Sequence, residues 1–371
     1  MRKGKNGLGK KENTAVAASA MGFFFAFTLA LCAVAAVVVG TANAATYTVC
    51  ATGCDYATIQ SAVNAATSGD TVFVYNGSYI ENVNVGTAHL TLEGEGKDKV
   101  TVTAASSSDD VFEVTADWVN ISGFTATGAT SGDWIAGITL NGVQHCKISE
   151  NNCSKNSLFG IYLQDSSNNE LKNNTANQND WGIYVSNSGN NTLTGNTANL
   201  NDDNGIEIAG VGSNYNTLTG NTANENNKQG IRLWNTDGNN ISCNRVQANK
   251  QAGFHLSGGS TGNTIAQNNI LVNGNYNAAT EGYEWNFYND QSDAVTAKNN
   301  YWGTTNAAKI DASIYDNDEN AGKGEVDFSG YKSGPVPCAP VPELPTVVLF
   351  SAGLLGVVGY FLLGQRRREK K

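Results

Sequence analysis

Residues 190–208 read NNTLTGNTANLNDDNGIEI, and the phrase NTLTGNTAN at 191–199 returns letter for letter at 216–224. The stretch is too polar for a wholly buried strand and too regular for a loop, so an internal period is the first thing to look for. Outward from it, the phrase Gly-apolar-x-apolar starts at Gly137, Gly160, Gly182, Gly205, Gly230 and Gly253, at spacings of 23, 22, 23, 25 and 23 residues. A second series, Ile148, Leu171, Leu193, Leu218, Ile241 and Ile265, keeps step with the first. Three residues after each member stands Asn151, Asn174, Asn196, Asn221, Asn244 or Asn268. Eight residues after stands Asn156, Asn179, Asn201, Asn226, Asn249 or Asn273.

Two short alternating phrases per repeat, each closed by Asn or Gly, describe strands and leave no room for a helix. Isolated, such strands could not bury their apolar side. If each repeat is one turn of a solenoid, equivalent strands stack at about 4.8 Å, every backbone group pairs with the coil above or below, and like residues form ladders. Asparagine suits the corners, because it tolerates left-handed backbone and its amide can bond both the turn and the next asparagine. The sequence therefore predicts an all-β parallel solenoid of about ten coils with the asparagines as a structural ladder. The insertion that stretches 205 to 230 should bulge from a corner, since a one-residue slip would turn the apolar set outward. Ile59, Ala62, Val63 and Ala66 have helical spacing after a candidate N-cap, Asp55, and predict a short amphipathic helix that plugs the first coil.

The ends differ from this body. A basic start and the apolar run from about Ala15 to Val39 lead to Thr41-Ala42-Asn43-Ala44, the pattern of an export signal with its cleavage site, here 1–44. Residues 45–332 are the solenoid, and 333–345, which holds all five prolines, reads as a stiff stalk. Residues 346–364 are uncharged and long enough to cross a bilayer, and 365–371 form a basic cytoplasmic tail that leaves the body outside the cell membrane. The ends hold ten of the 23 basic residues but only three of the 33 acidic ones, so residues 45–340 carry 13 basic against 30 acidic residues. Such a field repels phosphate backbones and excludes nucleic acid as a partner.

The segment YATIQSAVNAATSGDTVFVYNGSYIENV at 56–83, the repeated Gly-Ile-Tyr-Leu and Asn-Thr-Leu-Thr-Gly-Asn coils and the NNYWGT ending at 299–304 resemble the right-handed parallel β-helix superfamily. Within it the chain is most similar to NosD-like and carbohydrate-associated (CASH) β-helices of the pectin lyase-like fold. The resemblance implies the fold over roughly 50–330 and leaves function open among lyases, hydrolases, epimerases, phage spikes and adhesins. The order VPELPT at 341–346, apolar helix, basic tail resembles the PEF-CTERM sorting segment of archaeal surface proteins, which implies an archaeosortase-type processing enzyme as partner. Leu344 stands where that family has Phe.

On stacked coils the outward position of the Gly-apolar strand runs Thr139, Tyr162, Tyr184, Glu207, Arg232, His255, flanked by Phe159, Trp181, Asn204 and Gln229, with Asp180, Asp203 and Lys228 one step further back. Aromatics followed by charges on one flat face suit sugar rings and hydroxyls. Tyr162, Tyr184, Trp181, Glu207, Arg232 and His255 are therefore the candidate carbohydrate-binding residues, and no catalytic residue can be assigned. Tied to copper-centre assembly, the NosD likeness calls for soft or imidazole ligands, but His89, His145 and His255 show no ligand spacing, and Met1 and Met21 fall in the removable segment. No metal cofactor is expected. The one ion the sequence suggests is Ca2+ at Asp316–Asn320, which lacks the Gly and distal Glu of an EF-hand loop. The expected function is a membrane-anchored surface β-helix that binds glycans or envelope components, with a polysaccharide-cleaving or epimerising enzyme and a structural spacer or adhesin as alternatives. Cys50 and Cys54 can close a small loop; Cys146, Cys153 and Cys243 read as apolar fillers, and Cys338 as the odd thiol.

Overall fold

The structure, a computed structural model, describes residues 44–341. The export signal, the helix expected at 346–364 with its sorting pattern and the basic tail lie outside the described residues. Among the described residues no helix is long and apolar enough to cross a membrane.

The chain winds as a parallel β-helix of about 11 turns, one more than the repeat count predicts. Twelve strands from Thr46–Val49 to Val326–Asp327 stack into one wall, and ten from Val83–Val85 to Ile314–Tyr315 into a second. The third wall has two three-stranded patches, joined by single parallel bridges at Thr125–Asn152, Asn152–Thr175, Thr175–Thr197 and Thr197–Thr222. Among the described residues the one antiparallel pair is the hairpin Asn275–Asn277 with Gly282–Glu284, which projects from a late coil.

The registers are those the period requires. Ile161, Ile183, Ile206, Ile231 and Phe254 pair in succession on the second wall, and Ile148, Leu171, Leu193, Leu218, Ile241 and Ile265 on the first, all fully buried. The repeated glycine is explained by crowding. A Cβ on Gly182 would lie 2.6 Å from the Gly205 carbonyl oxygen and 2.8 Å from Ala198 Cβ. The two extra residues of the 205–230 coil leave at a corner, where Val211 is exposed, and the strand register is preserved on both sides.

Both predicted asparagine columns are buried and continuous. Asn196 Nδ2 donates to the Leu171 carbonyl of the coil before at 2.9 Å and to Asn221 Oδ1 at 3.0 Å, and the Asn196 N–H donates to the same Oδ1 at 2.9 Å. The column ends at Asn300, and the second ends at Asn286. A third column, Asn169, Asn191, Asn216, Asn239 and Asn263, links its neighbours in the same way. Its members stand two residues before Leu171, Leu193, Leu218, Ile241 and Ile265, a spacing present in the sequence, with Cys146 in that place before Ile148. Each amide satisfies groups that a buried turn would otherwise leave unpaired.

The helix Ile59–Ala65 buries Ile59, Ala62 and Val63 against the first coil as expected, but its cap is different. Thr58 accepts from the Ser61 N–H, and the Glu81 carboxylate receives the Ile59 and Gln60 N–H groups at 2.8 and 2.9 Å. Asp55 instead bonds Thr48. Cys50 and Cys54 are disulfide-bonded, and Cys146 and Cys153 are buried free thiols. Cys243 and Cys338 correct the reading of one as filler and the other as unpaired, for they form a disulfide 95 residues apart in sequence. That bond also alters the stalk. Over 333–341 the chain lies back on the solenoid, with Val336 and Ala339 buried and the Val336 N–H donating to Asn269 Oδ1 at 2.8 Å.

Candidate aromatic recess on the second wall

The outward column of the second wall pairs Thr139, Tyr162, Tyr184, Glu207, Arg232 and His255 in order. All six candidate residues therefore share one face, Trp181 through its pairing with Phe159. They do not share one role. Tyr162 is 4% exposed and stacks on Phe159 at 4.8 Å, forming a floor with Ala136 and Phe159. Its hydroxyl is pushed up to about 12, chiefly by burial. Tyr184, beside it, stacks on Phe159 at 5.1 Å and is also raised by burial.

Above this floor lies a recess of about 410 Å³ lined by Asp133, Trp134, Leu158, Phe159, Trp181, Tyr184, Glu207, Arg232 and Trp234. Trp134, at 60% exposed, leans over Phe159, Tyr162 and Tyr184 with centroids 5.9, 6.0 and 6.5 Å away. Neither Trp134 nor Trp234 was expected from the sequence. Trp134 sits in a connection outside the repeat. Trp234 stands two residues after Arg232, where the preceding coils carry Gln164, Ser186 and Ala209, so the column gives no warning of an aromatic.

Glu207 is the buried charge of the recess, its side chain 3% exposed, and both of its oxygens are engaged. Oε1 accepts from Arg232 Nη1 at 2.7 Å; Oε2 accepts from Trp181 Nε1 at 2.8 Å and Asn204 Nδ2 at 2.7 Å. A carboxylate so held fixes the indole and the guanidinium rather than serving as a free base. His255 lies beyond Arg232, and burial, reinforced by the Arg232 charge, pushes its imidazole down to about 4, so it is neutral at physiological pH. Upstream, Asp110 accepts from the Ala136 N–H and Thr139 hydroxyl, yet burial raises it to about 6. Asp316 is buried and spends its carboxylate on the Asp318 and Val326 N–H groups.

Residues 63–307 match the sequence family described as periplasmic copper-binding protein (NosD). The chain belongs to the NosD family. No curated protein matches it. Among solved structures it is similar to the A-module of mannuronan C-5 epimerase AlgE4 from Azotobacter vinelandii, at 16% identity and TM-score 0.52 over 77% of this chain and 95% of that one. It is similar to pectate lyase Pel9A at 14% identity and TM-score 0.52, over 80% and 81%. ORF18 of Geobacillus virus E2 aligns at 14% identity and TM-score 0.52 over 66% of this chain, which spans 53% of the viral protein's length. At these identities the likeness is one of fold.

The copper of the family's description finds no matching ligand set here. Among the described residues no group of three or more His, Cys, Asp or Glu could hold a metal ion. His89 and His145 do stand on one corner, but Trp118 is stacked between them, 5.6 Å from the first ring and 4.2 Å from the second. Cys146, next to His145 in sequence, turns inward, and burial raises its thiol to about 11.

Proposed function

We propose that this protein is an exported β-helix that binds glycan through the Trp134 recess without processing it, and is held at the outer face of the cell membrane. The observation that carries the binding reading is the recess itself, with indole and phenol rings on several sides of a fixed Glu207–Arg232 pair. Aromatic faces suit the apolar faces of sugar rings, and the Arg232 guanidinium, 29% exposed and held by Glu207, offers hydroxyls a donor. Saturation of Glu207 favours binding over proton transfer. The location rests on the sequence: 1–44 as signal, 45–332 as binding body, 333–345 as connection, 346–364 as anchor and 365–371 as inner tail. Envelope glycans are the natural partners at that surface, and an archaeosortase-type enzyme is the partner for the tail.

The test is retention of the purified full-length protein on a glycan array, with release of reducing ends and of unsaturated products followed in parallel. Trp134→Ala, which removes a side chain that is itself 60% exposed, is expected to lower affinity about tenfold. Tyr162→Ala is the poorer probe, because it empties a buried site and confounds binding with stability. Product release by the wild type would replace binding with catalysis, and no retention on any glycan would remove the reading. Loss of the body to protease added outside intact cells would support the location; protection would refute it.

A further inference from the structure

We infer that the binding face continues past Arg232 to a second aromatic platform, Trp285, Tyr288 and Tyr315, and that its ligand is an uncharged glycan chain long enough to span both. This rests on the reading of the Trp134 recess as a glycan site. Arg232, His255, Tyr288 and Tyr315 are consecutive partners in one outward column, so the platform shares the recess's face. The Tyr288 and Tyr315 rings are parallel to within 9° at 4.3 Å, and Trp285 lies 5.5 Å from Tyr315. Four coil steps separate Tyr184 from Tyr288, about 19 Å at roughly 4.8 Å per coil, a span that a chain of several sugar rings reaches and a single sugar does not.

Charge sets the class of ligand. The cations on this face already hold carboxylates: Lys228 pairs with Asp203 at 2.5 Å, Arg232 with Glu207 at 2.7 Å, and Lys323 with Asp290. A uronate would find these cations already paired and would meet Asp133, Glu207 and Asp290. Hydroxyls meet acceptors instead. Between the platforms Arg232 Nε and His255 Nε2 are buried beneath the face without a hydrogen-bond partner within the protein, and His255 Nε2 is 4.0 Å from Asp290 Oδ2, too far to bond it.

Calorimetric titration of the full-length protein with neutral cello-, manno- and xylo-oligosaccharides of increasing length, and with oligogalacturonates of matched length, tests the inference. Affinity for one neutral series should rise in two steps, the second when the oligomer is long enough to reach Tyr288. Tyr315→Ala should remove the second step, about a tenfold loss, and leave short oligomers unaffected. Oligogalacturonates should bind at least about tenfold more weakly, and Asp290→Ala, which frees Lys323 at an exposed position, should narrow that gap. A plateau at short length, indifference to Tyr315→Ala, or uronate binding as tight as neutral binding would overturn the inference. Short oligomers still bound in a Trp134-dependent way would then leave the recess reading standing, whereas no binding of any oligomer would end both.

Discussion

Each ladder asparagine serves three coils at once. Asn196 accepts from the Asn174 N–H and side-chain amide at 3.0 Å each while it donates to Leu171 and Asn221. Asn196→Ala would leave the buried Asn174 N–H without its acceptor and strip one bond each from the Asn174 side-chain amide, which keeps the Ile148 carbonyl, and from the Leu171 carbonyl. The expected loss is about 2–4 kcal/mol, read as a lower urea midpoint. Two titrating residues of the candidate face push stability in opposite directions. Asp110 is raised to about 6, so the folded state keeps a proton that the unfolded chain releases near pH 4; its contribution is present at low pH and lost as pH climbs through about 6. His255 is lowered to about 4, so the unfolded chain takes a proton first; its contribution is present above about pH 6.5 and lost as pH falls through about 4. Between pH 4 and 6.5 these two contributions to the melting temperature therefore oppose each other. Asp110→Asn should unmask a fall in stability toward acid, and His255→Gln a fall toward neutral pH. Parallel slopes in the two variants would contradict the assignment.

At the level of the strand, the glycine that opens each second-wall phrase is required by close approach and not by backbone freedom, for Gly182 has no positive φ and its missing Cβ would collide with main chain and with Ala198. Gly182→Ala should cost about 1–3 kcal/mol by forcing neighbouring coils apart, seen as a lower urea midpoint with an unchanged slope. Exposed Gly142, with nothing within 4 Å of its Cβ position, has φ +67° and makes a contrasting case, since Ala there should cost only backbone strain, about 1 kcal/mol. The glycine, the two apolar positions after it and the asparagine corners were legible because the stack repeats them, and repetition exposes a constraint. The N-cap Thr58 stands next to the first helix in sequence, but the Glu81 carboxylate that receives the Ile59 and Gln60 N–H groups was not legible, because it comes from a later segment.

Over the whole molecule, one covalent link joins the end of the described chain to the middle of the stack. The Cys243–Cys338 bond closes a loop that spans the last coils and presses 333–341 onto the third wall. Cys338→Ser should lower stability by as much as about 4 kcal/mol, through the greater freedom of the unfolded chain, and should expose the proline-rich segment to protease before the body unfolds. A melting curve unchanged by the substitution or by reductant would count against that bond. Sequence alone determined the coil, its period, the inward columns, two of the three asparagine ladders and the face on which Tyr184, Glu207 and Arg232 stand, since each depends on a residue and its counterpart one turn away. Only tertiary structure decided which of those outward residues are reachable. It sank Tyr162 beneath Trp134, locked Glu207 among three donors, paired Cys243 with a distant Cys338, and aligned Tyr288 and Tyr315 with a column broken in sequence by a hairpin. Trp134, Cys338 and Tyr315 come from segments outside the repeat, where no neighbouring copy constrains the residue and only packing fixes its place, whereas the donors of Glu207 are repeat positions whose side-chain pairing the period leaves open.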